Sequence, residues 1–194
     1  MKLEPAIRKS WDDLSGLNMS KNTKVVFLGD EYMVNLRLRQ VLSLPDNAPV
    51  EDHLTVLILH YLLQKAVDMP VVCGEYLSFN GLSVISSFAE MFKKRAADVI
   101  LEKYGDNIFN IFSVLQNLPA KKIDRADAAI IIEAFKGVPI LIELWKADEE
   151  FGPEVNILFD KSITKIFCVE DVVVLAEVVA EAISSGNDYG TNTN

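Results

Sequence analysis

No complete catalytic or metal-binding motif occurs in these 194 residues. GxSxG, HExxH and glycine-rich phosphate loops are all missing, which removes the serine-hydrolase, zinc-protease and nucleotide-binding signatures. Cysteine is scarce: Cys73 and Cys168 make no disulfide framework. Each sits among apolar residues, in VVCGE and IFCVE, where buried free thiols in a reducing compartment are the expected state. His53 and His60 are the only histidines. They lie on one predicted helix, about 10.5 Å apart along its axis at ~1.5 Å per residue, so one metal ion cannot take both. His53 is expected exposed, and His60 packed and hydrogen-bonded.

Basic residues are few beside acidic ones, 19 against 28, which gives a formal net charge of −9. Phosphate backbones and anionic membrane surfaces both attract lysine and arginine, so neither nucleic acid nor membrane is an expected partner. Long apolar runs are absent too. The stretches 54–63, 138–145 and 172–183 are too short or too interrupted to cross a bilayer. The opening MKLEPAIRKSWDDL has an early acid and a proline instead of a signal-peptide core. The expected location is the cytoplasm.

What is present is a core-forming composition, 50% hydrophobic and 24% charged. Residues 1–184 read as one α+β domain, and 185–194 as a disordered tail. Amphipathic helices are predicted over 3–14, 51–66, 83–104, 106–118 and 170–184, from apolar residues at helical spacing. Leu54 to Leu63 is apolar nearly all round, so the helix 51–66 is expected at the centre. Two hairpins are predicted, over 24–38 and 128–146, the second linked by Lys136-Gly137. Residues 73–82 read as a short strand or extended arm, and 43–50 and 121–127 as connections. The expected sheet is antiparallel or mixed, with four to five strands, packed with about five helices.

One stretch stands apart from this framework. Gly137 to Asp160, GVPILIELWKADEEFGPEVNILFD, runs from an apolar strand into three adjacent carboxylates and then into a second apolar run. The candidate ligand-binding residues are Trp145, Asp148, Glu149, Glu150, Asn156 and Asp160. Oxygen-rich clusters suit hard cations such as calcium or magnesium, but this run does not match the helical calcium loop. Its plainer reading is a charged hairpin exit with a capping aspartate, and no metal is assigned. Binding groups concentrate on loops tied to rigid strands. At least one of the three acids is therefore expected to bond backbone amides or a basic side chain, Asn156 to bond the same loop, and Asp160 to cap a turn through Ser162.

The segment VPILIELWKADEEFGPEVNILFD, followed by VEDVVVLAEVV, resembles the signature of domain-of-unknown-function family 3786. LILHYLL (57–63) and GEYLSFNGL (74–82) resemble its two earlier blocks, and the resemblance covers roughly residues 20 to 184. It implies an uncharacterised domain of anaerobic bacteria and archaea, often associated with iron–sulfur or corrinoid proteins. The four-cysteine cluster of that association is absent here, and Ala147, Gly152 and Ser83-Val84 depart from the family pattern. The cofactor is therefore unassigned.

Two functions compete. The first is a binding or accessory module of anaerobic metabolism whose polar rim after the strand 138–145 contacts a small molecule, cofactor or protein partner. The alternative is an enzyme that uses paired carboxylates of the DEEF block for acid–base or metal-assisted chemistry. Convergence of Asp148, Glu150 and Asp160 in a concave site, with raised pKa values, would favour the enzyme.

Overall fold

The computed structural model describes residues 3–82 and 86–185. Its centre is an antiparallel sheet of eight strands. The first meander is β1 (Asn22–Phe27), β2 (Asp30–Asn35) and β3 (Gln40–Ser43). The second is β6 (Ala128–Phe135), β7 (Val138–Trp145) and β8 (Glu154–Asp160). The order across the sheet is β3-β2-β1-β6-β7-β8-β4, with β4 at Tyr76–Ser78. β1 meets β6 at the single pair Phe27–Phe135, and β5 (Ala120–Lys122) pairs with the rest of the same β6 edge.

Turn chemistry fixes the two hairpins. Leu28 and Gly29 both have positive φ, 50° and 95°, the conformation that matches the twist of a tight two-residue hairpin. Leu28 is held there because its amide donates to Ala134 O at 2.9 Å. Gly137, at φ 81°, turns β6 into β7, and its amide donates to Glu133 Oε1 at 3.1 Å.

The five α-helices among the described residues are α1 (Glu4–Ser15), α2 (Asp52–Val67), α3 (Ser86–Phe92), α4 (Asp98–Tyr104) and α5 (Val169–Ser185). α2 and α5 cover one sheet face. Leu57, Ile58, Tyr61 and Leu62 of α2 are buried with Ile130, Ile132, Ile140, Ile142, Leu144 and Phe159 of the strands. Phe135 is a hub, stacked on Tyr61 at 4.4 Å and tilted against Phe27 at 4.6 Å. α1 closes over α2 with Trp11 and Leu14. The expectation that the hairpin 128–146 and the helix 51–66 form the centre is met.

Several expectations are corrected. The sheet has eight strands instead of four to five. β3, β4 and β5 span three or four residues each, too short for a period-2 pattern to show. The first hairpin does not run to Leu38. β2 ends at Asn35, whose Oδ1 accepts the Leu38 amide at 2.8 Å and starts a turn. The helix expected over 83–104 is α3 and α4 joined by a π-helical turn, Lys93–Ala97, and residues 83–85 lie outside the described residues. The helix expected over 106–118 is a 3-10 segment, Ile108–Gln116, capped by Asn107 and not by Asp106. The expected tail begins inside α5 at Ser185, and 186–194 lie outside the described residues.

Both thiols are exposed, not buried. The run VVC belongs to an arm between α2 and β4, where Val71 is 87% exposed. In IFCVE the chain buries Ile166 and Phe167, then turns Cys168 outward at the start of α5.

Candidate functional site

β7 carries its apolar residues to Trp145, which pairs with Glu154 and closes the β7–β8 ladder. The loop between them is held by Asp148. Its amide donates to Phe151 O at 2.9 Å, and its Oδ1 accepts the amides of Glu150 at 2.8 Å and Phe151 at 2.7 Å. Those two backbone hydrogen bonds hold the Asp148 carboxyl below its ordinary pKa, because they favour the charged form. The latch leaves Phe151 64% exposed. On the other side, the Lys146 amide donates to Asp127 Oδ2 at 2.9 Å, which ties the strand exit to the chain before β6. The Lys146 ammonium lies over the Phe109 ring at 4.6 Å.

The result is a cleft of about 330 Å³, lined mainly by Asp127, Trp145, Lys146, Asp148, Phe151 and Glu154. Of the six residues singled out from sequence, only Trp145 and Asp148 line it. Glu149 and Glu150 are exposed on the loop outside it. Asn156 lies in the middle of β8 opposite Glu143 and lines a different groove, so it does not bond the loop as expected. Asp160 is six residues along β8 from Glu154, about 20 Å at ~3.3 Å per residue.

Asp160 is 1% exposed and does a separate job. It caps Ser162, as expected, and accepts the amides of Cys73 at 3.2 Å and Gly74 at 2.6 Å. Burial pushes its carboxyl up, but the hydrogen bonds from Ser162, Cys73 and Gly74 outweigh it and hold the pKa at about 2. Asp160 therefore pins the arm before β4 to the end of β8. The six residues form no single site, and both of the shifted acids among them titrate low instead of high.

The family described as Domain of unknown function (DUF3786) matches residues 10–182. The chain belongs to this family. No curated protein and no solved structure matches it. In this DUF3786 chain the block GVPILIELWKADEEFGPEVNILFD is the β7–loop–β8 unit that builds the cleft. No helix among the described residues is long and apolar enough to cross a membrane, and no group of three or more His, Cys, Asp or Glu side chains among them is placed to hold a metal ion.

Two polar features of the DUF3786 chain escaped the sequence reading. Glu143 is 5% exposed in the middle of β7, and Arg125 Nε meets its Oε1 at 2.7 Å. The signal was there: a single charge inside the run ILIELW needs a partner once the strand is buried. The second is Asp171, whose Oδ2 lies 2.7 Å from His60 Nδ1 and accepts the Cys168 amide at 3.3 Å. Asp171 thus closes the first turn of α5 and orients the His60 ring, which is packed and hydrogen-bonded as expected. Cys168 beside it is no activated nucleophile. The residue as a whole is exposed, yet desolvation around its sulfur, reinforced by the Asp171 and Glu170 carboxylates, pushes the thiol up to about 12.

Proposed function

We propose that this domain is a non-catalytic binding module of anaerobic metabolism, the setting its family resemblance implies, and that the cleft at the end of β7 takes an organic cation. The observation that carries this reading is that Trp145 and Phe151 line one cleft together with Asp127, Asp148 and Glu154. Aromatic faces and carboxylates together are the chemistry that receives an amine or guanidinium group. The Asp148 latch holds Phe151 exposed without a ligand, so binding needs little reordering. The net charge of −9 draws cations toward the cleft.

General acid catalysis by one of a pair of these acids would need a carboxyl held protonated near neutral pH. Asp148 and Asp160 are both shifted the other way, and they are on different parts of β8 and its loop. The free thiols Cys73 and Cys168 support the cytoplasm as the working compartment.

The test uses Trp145 fluorescence in a Trp11→Phe background, titrated with spermidine and with propylamine, and with glutarate as the anionic control. Saturable change with the amines, weakened by Glu154→Gln and by salt, is the expected result. A flat response to both amines would end this reading.

A further inference from the structure

β8 has two edges, and one is only half used. β4 pairs with it at Tyr76–Asp160, Leu77–Phe159 and Ser78–Leu158. At Phe79 the chain leaves the strand line and winds into a 3-10 turn, Phe79–Leu82. Among the described residues no strand continues that line along Ile157, Asn156 and Val155. Those three consecutive residues instead line a groove of about 380 Å³. Its opposite wall is Phe79, Ala89 and Phe92, with the π-helical turn contributing Lys93 and Ala97. Phe79 and Phe92 are stacked face to face at 4.3 Å, and their rings make that part of the wall apolar.

An unpaired strand edge presents a row of amide and carbonyl groups, and proteins ordinarily block such edges with charges or proline. Val155-Asn156-Ile157-Leu158 contains neither. The groove lies where the next residues of β4 would have gone. The exposed acid Glu90 lines the groove, while the charge of Lys93 is matched by Asp98. We propose that this edge receives an extended peptide segment of a partner protein. The segment adds as a short strand in line with β4, lays one aliphatic side chain against Phe92, and carries basic residues at its flanks. Strand addition draws its affinity from main-chain hydrogen bonds and its specificity from alternate side chains. The site is on the opposite edge of β8 from Trp145 and does not depend on the cation cleft.

The probe is the capped pentapeptide Lys-Val-Thr-Val-Lys, titrated into ¹⁵N-labelled protein. Saturable binding is expected, with amide hydrogen exchange slowed at alternate residues of 155–157. N-methylation of the peptide at the amides facing β8 should weaken binding about tenfold, the effect of losing main-chain hydrogen bonds, and methylation of the other set should not. Ala89→Phe fills the groove and should abolish binding with the melting transition intact. The N-methyl series on the unaltered protein decides the matter if that variant does not fold. No binding, binding indifferent to N-methylation, or shifts confined to Trp145 and Phe151 would each overturn the proposal, and the last would leave the cation cleft standing.

Discussion

Asp148 Oδ1 lies 2.7 Å from the amide nitrogen of Phe151, and that bond keeps an exposed aromatic ring at the mouth of the cleft. Asp148→Ala removes the acceptor for both loop amides. Hydrogen exchange at Glu150 and Phe151 should rise severalfold, and amine binding should weaken while the rest of the amide spectrum stays in place. Asp148→Asn keeps an acceptor and should show a smaller effect on both. Loss of loop protection with unchanged amine binding would make the loop a structural latch alone.

Glu143 and Arg125 should be unequal partners. Arg125→Ala leaves a buried carboxylate without its cation and is expected to cost roughly 1–3 kcal/mol in urea unfolding. Glu143→Leu removes the charge together with its need for a partner, and its cost should be well below that of Arg125→Ala. Equal costs would mean that the pair gains nothing from its place in the strand.

The Asp160 carboxyl falls from an ordinary 3.8 to about 2 in the folded chain. A depressed carboxyl stabilises the fold above its unfolded pKa and loses that contribution as pH falls through the folded value. The difference corresponds to about 2 kcal/mol, present above pH ~4 and lost toward pH ~2. Urea midpoints measured from pH 5 to pH 2 should fall for the unaltered protein by more than for Asp160→Asn. Parallel curves would show that the hydrogen bonds from Cys73, Gly74 and Ser162 do not favour the charged form.

The two exposed thiols should differ in reactivity. At pH 8 a thiol held at about 12 is thiolate in about one molecule in ten thousand. Maleimide should therefore label Cys73 well before Cys168, as read by mass spectrometry on the native protein. Faster labelling at Cys168 would contradict the desolvation of its sulfur.

Leu57 tests the core itself. It is fully buried in α2 against the sheet, so Leu57→Ala is expected to cost about 2–5 kcal/mol by the lost transfer and the cavity left behind. A cost under 1 kcal/mol in chemical denaturation would place α2 outside the main core.

What could be seen in the sequence was whatever repeats within one element. The apolar spacing of 51–66 and the Lys136-Gly137 link each declare their structure locally, and α2 and the β6–β7 hairpin stand where they were expected. What could not be seen depends on partners distant in the chain. β5 is AKK, a charged triplet that becomes a strand only because β6 offers it an edge. The candidate site fared the same way. Period 2 along β8 places Asn156 and Asp160 on one side of the strand, but not which ends of the molecule they reach. Asp160 joined Cys73 and Gly74, 87 and 86 residues away in sequence, and Asp127 entered the cleft through Lys146. Arg125 gave no local sign of reaching Glu143.

The π-helical turn at Lys93–Ala97 makes the helix from Ser86 to Tyr104 one residue longer than its packing requires. In an α-helix each residue advances the chain by about 100°, so deleting one normally swings everything after it off its face. Here the surplus residue is already looped out, and removing it from 93–97 would restore plain α-helix with Ile100 and Tyr104 still in the core. The chain is therefore expected to tolerate shortening at this point without unfolding. What such a shorter chain would forfeit is the placement of Lys93 and Ala97 in the wall of the groove beside β8, so chain length at this turn separates the keeping of the fold from the keeping of that surface.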